Sequence, residues 1–136
     1  MNLLKTIILI SIISFLSSFV TDSNNLEDKL LGTWIYSNYH NESIQFKKER
    51  SFDNKNPGIK FKKNGALVKR QNSGWCGTPP ISYENYKGSW KTTSDSTLTI
   101  RYEYWGGMIE EDWLITDLSN DVLDVKNLNK RIENNK

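Results

Sequence analysis

Eight short segments in which apolar and polar residues alternate, separated by turn residues at close intervals, fill the chain from residue 31 to residue 128. A period of two is the pattern of a strand with one buried and one wet face. In SIQFKKE (43–49) Ile44 and Phe46 share one face while Gln45 and Lys47 share the other, and GIKFKK (58–63) repeats this through Ile59 and Phe61. LGTWIYS (31–37), ALVKRQ (66–71), GSWKTT (88–93), STLTIRYEYW (96–105), MIEEDWLIT (108–116) and DVLDVKNL (121–128) complete the set. No stretch of useful length carries a helical period. Asn64-Gly65 is the strongest hairpin signal, because both residues tolerate positive φ. Ser94-Asp95, Gly106-Gly107 and Leu118-Ser119-Asn120 mark further tight turns, and a longer loop over 72–87 holds two of the three prolines.

Short connections favour antiparallel neighbours. Eight such strands with one apolar face bury that face by curling shut, which also removes aggregation-prone edges. The expected fold is therefore all-β, an antiparallel up-and-down eight-stranded barrel without a long C-terminal helix. A two-sheet sandwich is the alternative.

The 136 residues suffice for one domain. Five Trp and six Tyr exclude a long disordered chain, and one Cys excludes a disulfide-stapled miniprotein. The formal charge of +2 falls to +1 without the first twenty residues, where Lys5 is the only charged group, so charge makes no case for nucleic acid. The basic residues Lys47, Lys48, Arg50, Lys60, Lys62, Lys63, Lys69 and Arg70 read as a solvated outer face. A nucleic-acid platform would interleave aromatics on that face, but Phe46 and Phe61 fall on the opposite one.

Residues 1–20 place Lys5 before an apolar run from Thr6 to Val20, the pattern of a secretory signal peptide. The run is short against the ~20 residues of a spanning helix. Cleavage is expected between Val20 and Ser23, with a retained membrane anchor as the alternative. The organisation then reads as a signal over 1–20, an N-terminal turn over 21–30, the barrel domain over 31–128 and a polar, frayed tail over 129–136. The mature chain is expected in the periplasm or outside the cell, with no stable membrane span. There an unpaired Cys76 would allow a disulfide-linked dimer.

Gly32-Thr33-Trp34, at the start of the first strand and just behind a short turn, resembles the lipocalin and calycin G-x-W signature. The segment RSFDNKNPGIKFKKNGALVKRQNSGWCGTPPISY (50–83) is similar to the small secreted lipocalin-like proteins of Bacteroidota. The resemblance implies a barrel whose floor is closed by Trp34, and leaves activity open because function in that group is mostly unassigned. Typical lipocalins also pack a late Arg on the signature Trp and end in a long helix. Here the candidates for that cation are Lys126 and Arg131, and no helix fits in the remaining residues.

Trp34 and Gly32 are expected to be structural. Ligand-binding candidates are Tyr102, Tyr104, Glu111 and Trp113, with Trp75 on the Gly- and Pro-rich loop as a cover or as an exposed anchor. Under strict alternation Glu111 shares the apolar face with Ile109, Trp113 and Ile115. It then points inward and needs a partner such as Tyr102, Tyr104 or an inward Arg; otherwise a bulge shifts the phase and it sits at the rim. A tyrosine-lined interior suits a small polar or amphipathic ligand. A filled barrel would instead serve as an interaction or inhibitor module for an envelope protein. His40 reads as a loop histidine; no H-E-x-x-H, C-x-x-C, phosphate loop or dinucleotide glycine pattern occurs, so neither metal nor cofactor is expected. An enzyme would require His40, Cys76 or carboxylates to cluster inward, which linear spacing does not reveal.

Overall fold

A computed structural model describes residues 25–74 and 77–135; the expected signal peptide lies outside the described residues. The chain runs α1 (Leu26–Leu30), β1 (Gly32–His40), β2 (Ser43–Glu49), β3 (Gly58–Phe61), a 3-10 turn (Lys63–Gly65), β4 (Ala66–Asn72), β5 (Tyr83–Thr92), β6 (Thr97–Tyr104), β7 (Gly107–Leu118) and β8 (Val122–Asn134). The strands close into one barrel in the order β1-β2-β8-β7-β6-β5-β4-β3, and every neighbouring pair is antiparallel. This is the expected all-β, antiparallel, eight-stranded closed barrel; its strand order departs from the expected up-and-down one at β1 and β2.

From β3 to β8 the order is consecutive. The β1–β2 hairpin enters it reversed, so that β1 pairs with β3 and β2 with β8. The β2–β3 connection must therefore pass β1, and it does so over the outer face. Pro57 accepts a hydrogen bond from the Tyr36 amide at 2.9 Å. Phe52 lies against Ile35, which points outward yet is only 6% exposed. A side chain at Gly58 would meet both of them and the Trp34 carbonyl. An outward apolar residue on β1 is thus explained by the loop that covers it.

The core is concentrated at one end. Trp34, Ile59, Leu98, Ile100, Leu123 and Val125 are fully buried there, with Phe61 edge-on to Trp90 at 5.2 Å and Phe46 stacked on Trp113 at 5.8 Å. Helix α1, N-capped by Asn25, closes this floor with Leu30. Gly32 turns the chain from α1 into β1 at φ +121°, a conformation that favours glycine, and a Cβ there would meet Lys48 at 3.0 Å. The turn lets Trp34 donate its indole N–H to the Leu30 carbonyl at 2.7 Å.

The cation on the signature Trp comes from a strand that sequence reasoning did not nominate. Lys48, on β2, places its ammonium 4.8 Å from the Trp34 ring centre and 3.4 Å from the Lys29 carbonyl. The two candidates are engaged elsewhere: Lys126 with Glu42, and Arg131 with Glu110 and Asp112. The expected frayed tail is also corrected, because residues 129–134 are the upper half of β8. They pair with Gly107–Asp112 of β7, and Arg101 bonds Glu133 across the sheet at 2.9 Å. The long β7 supplies backbone partners that an isolated polar tail lacks.

Trp34→Phe keeps an aromatic ring but removes the indole N–H and part of the buried ring volume, leaving the Leu30 carbonyl without its donor. It is expected to destabilise the barrel by about 1–3 kcal/mol, read as a lower urea midpoint at unchanged slope.

Candidate functional site

Inward residues change character along the barrel axis. Around the floor they are mostly apolar; from the middle upward Lys69, Glu111, Tyr86, Tyr102 and Tyr104 join apolar residues such as Ile109. On β7 the alternation of Gly107, Ile109, Glu111, Trp113 and Ile115 is unbroken, and Glu111 is 7% exposed. The inward reading of Glu111 therefore holds. The bulge that opposes this stretch lies on β8, where Asp112 pairs with Asn129 and Trp113 with Asn127, so Leu128 is the extra residue.

Glu111 is well supplied with donors. The Trp113 indole N–H donates to one carboxylate oxygen at 2.9 Å, and the Tyr102 hydroxyl donates to the other at 3.3 Å. Lys130, directly opposite on β8, brings its ammonium within 3.5 Å. Burial and the neighbouring carboxylate push the Tyr102 phenol well above the ordinary tyrosine range, which keeps it a donor. Room for Tyr102 comes from Gly88 across the β5–β6 ladder, where a Cβ would lie 2.8 Å from that of Tyr102.

The principal correction concerns Lys69. It follows Leu67 on the inner face of β4, and its ammonium sits among the rings of Trp113, Tyr102 and Phe46, at 5.3, 5.5 and 5.7 Å from their centres. It belongs to the interior, not to the outer basic face. Desolvation pulls the amine below the ordinary lysine range; the Glu111 charge opposes this and the Lys130 charge adds to it. Glu111 attracts the Lys69 ammonium but does not pair with it directly, its closest cation being Lys130. The ammonium is held by ring faces, worth about 2 kcal/mol when desolvated. Alternation in ALVKRQ gave the signal: Lys69 shares parity with Leu67, and a lysine on an apolar face is an interior cation when the facing strands supply aromatics.

The other expected site residues divide. Tyr102, Glu111 and Trp113 converge. Tyr104 shares their face nearer the open end and donates to Asn134. Tyr86, paired with Lys69 across β4–β5, stands on the same inner face. Trp75 and Cys76 lie outside the described residues. His40 ends β1, with its Nε2 3.8 Å from the Asp124 carboxylate, away from the Glu111 cluster. Among the described residues no three His, Cys, Asp or Glu side chains are grouped to hold a metal ion, and no helix is long and apolar enough to cross a membrane. A cleft of about 500 Å³ lies outside the barrel, between β1 and the crossing loop, with Ile35, Lys47 and Asp53 in its lining.

No family model, no curated protein and no solved structure matches this chain.

Lys69 and Glu111 differ in how completely the fold satisfies them, so their variants should move stability in opposite directions. Lys69→Met removes a desolvated cation whose loss leaves Glu111 still bonded to Lys130, Tyr102 and Trp113. It is expected to stabilise by roughly 1 kcal/mol or more. Glu111→Leu strands three donors and Lys69 and is expected to cost about 3–5 kcal/mol. Urea unfolding of both variants checks the signs.

The same geometry fixes a pH dependence. The unfolded chain holds the Lys69 proton up to the ordinary lysine range, whereas the fold, through burial and Lys130 against Glu111, releases it lower. Stability attributable to Lys69 thus rises as pH climbs through that window toward the ordinary value. The advantage of Lys69→Met over the parent chain should shrink as pH is raised from 7 toward 10.5, measured as the difference between their urea midpoints; the other titratable groups on this face, Glu111, Lys130, Tyr102 and Tyr86, are common to both.

Proposed function

We propose that the chain is a noncovalent binding protein of the periplasm or extracellular space that holds a small polar or amphipathic ligand at the upper end of its barrel. One observation carries the reading: ionic groups inside the barrel, Lys69 and Glu111, form the boundary between a packed floor and an exposed upper end. A barrel selected only for stability gains nothing there, since apolar residues of similar volume are as good or better than buried ions. At this boundary and above it the inner face carries Tyr36, Tyr86 and Tyr104, which offer a ligand both ring surface and hydroxyl groups. Tyr102, Glu111 and Trp113 would form the base of the site and Tyr104 its wall.

The second reading is an interaction module. It draws support from the upper part of β8, where Leu128 and Ile132 are 55% and 54% exposed, and from Trp105 beside it at 51%. Such residues suit a protein partner.

Native mass spectrometry of the protein purified from its own source separates the two. The binding reading expects a mass above that of the mature polypeptide and release of a defined small molecule on denaturation. A bare polypeptide that stays bare against cell extracts, or one that retains a protein partner, overturns it in favour of the interaction module.

A further inference from the structure

Among the described residues, Lys69 is the one charge of the Glu111 cluster with neither a hydrogen-bonding nor an ion-pair partner. Glu111 has three donors for its two oxygens. The Lys69 ammonium has three N–H donors and faces three rings, which accept charge but offer no lone pair. Its side chain is half-buried rather than sealed. Whatever completes this site must therefore bring an acceptor. Charge says more: Lys69 and Lys130 against Glu111 leave one positive charge uncompensated inside the wall. A monoanion neutralises it, whereas a cation would add to it and a dianion would overshoot while facing the Glu111 carboxylate.

Resting on the binding reading above, we propose that the ligand is a small organic monoanion whose carboxylate seats on the Lys69 ammonium while its apolar or aromatic body lies against the tyrosines of the upper barrel. Glu111 is a positioning residue. It holds Tyr102 and Trp113, and through them the ring faces that keep Lys69 in place, and it repels the ligand's own charge. That repulsion gives the proposal a signature that a purely structural cluster lacks: neutralising Glu111 should tighten binding, and neutralising Lys69 should weaken it.

The test uses the full mature protein, carbon- and nitrogen-labelled at lysine, titrated with phenylacetate and with its uncharged counterpart phenylacetamide near pH 6. Phenylacetate is expected to shift the Lys69 side-chain signals and to raise the pH at which they titrate, with the amide at least about tenfold weaker, the value of one charge-assisted contact. Lys69→Met should lose phenylacetate by a similar factor, and, being expected to fold at least as well as the parent chain, it keeps the test interpretable. Glu111→Gln, which retains hydrogen-bonding capacity, should bind phenylacetate more tightly. Equal binding of acid and amide, unchanged affinity in Lys69→Met, or Lys69 signals that move with neither phenylacetate nor acetate at any soluble concentration overturns the proposal. A neutral molecule released in the native mass experiment also overturns it, while leaving the binding reading in force.

Discussion

The seal at the barrel floor is the contact on which the rest of the architecture depends. Trp34 fills the end of the barrel, its N–H satisfies a carbonyl at the end of α1, and Lys48 lies over its ring while reaching a second carbonyl of the same helix. Each partner answers a need of another. A short helix has orphan carbonyls at its end, a buried indole has an N–H to place, and a lysine turned toward the inside of β2 has a charge to compensate. Closing one end so completely lets the other remain polar. The apolar area buried around Trp34, Trp90, Phe61 and Leu98 supplies the stability against which Lys69 and Glu111 are tolerated.

Much of this was legible in the sequence, and what was not has identifiable physical causes. Period-two alternation places the strands because each has one wet face, and it places Glu111 inward because nothing on β7 interrupts the count before Trp113. It fails at the strand order. Hairpin-length connections argue for consecutive neighbours, but the segment 50–57 is long enough to cross a strand, and nothing local says that Phe52 will cover an outward Ile35. It fails again at the end of β8, where NKRIENN has the composition of a tail. Those residues become strand because β7 presents an unpaired edge and charges of opposite sign, Glu110 and Asp112, opposite Arg131.

The two lysines that matter most, Lys48 and Lys69, were hidden by their type. Composition assigns lysine to the surface, since burying its charge is costly. Parity contradicts that assignment at both positions: Lys69 has the phase of Leu67, and Lys48 the phase of Phe46 and Trp34. Where type and phase conflict on a strand, phase prevailed here, because a shift of register would have exposed every apolar neighbour to water. The conflict is also where function is to be sought, since a local rule broken at a cost to stability is retained only for a return elsewhere.

The reversed β1–β2 hairpin gives that cost a geometry. Because β3 is short and pairs only with Gly32–Ile35, the upper half of β1 has a ladder partner on the β2 side alone. Likewise β2 ends against Lys126, so the upper half of β8 is laddered only to β7. The wall is thus continuous around the floor and looser around the upper end, on the sides of β1 and β8. The strand exchange that sequence reasoning missed therefore leaves the floor laddered on every side while the upper halves of β1 and β8 each keep a single ladder.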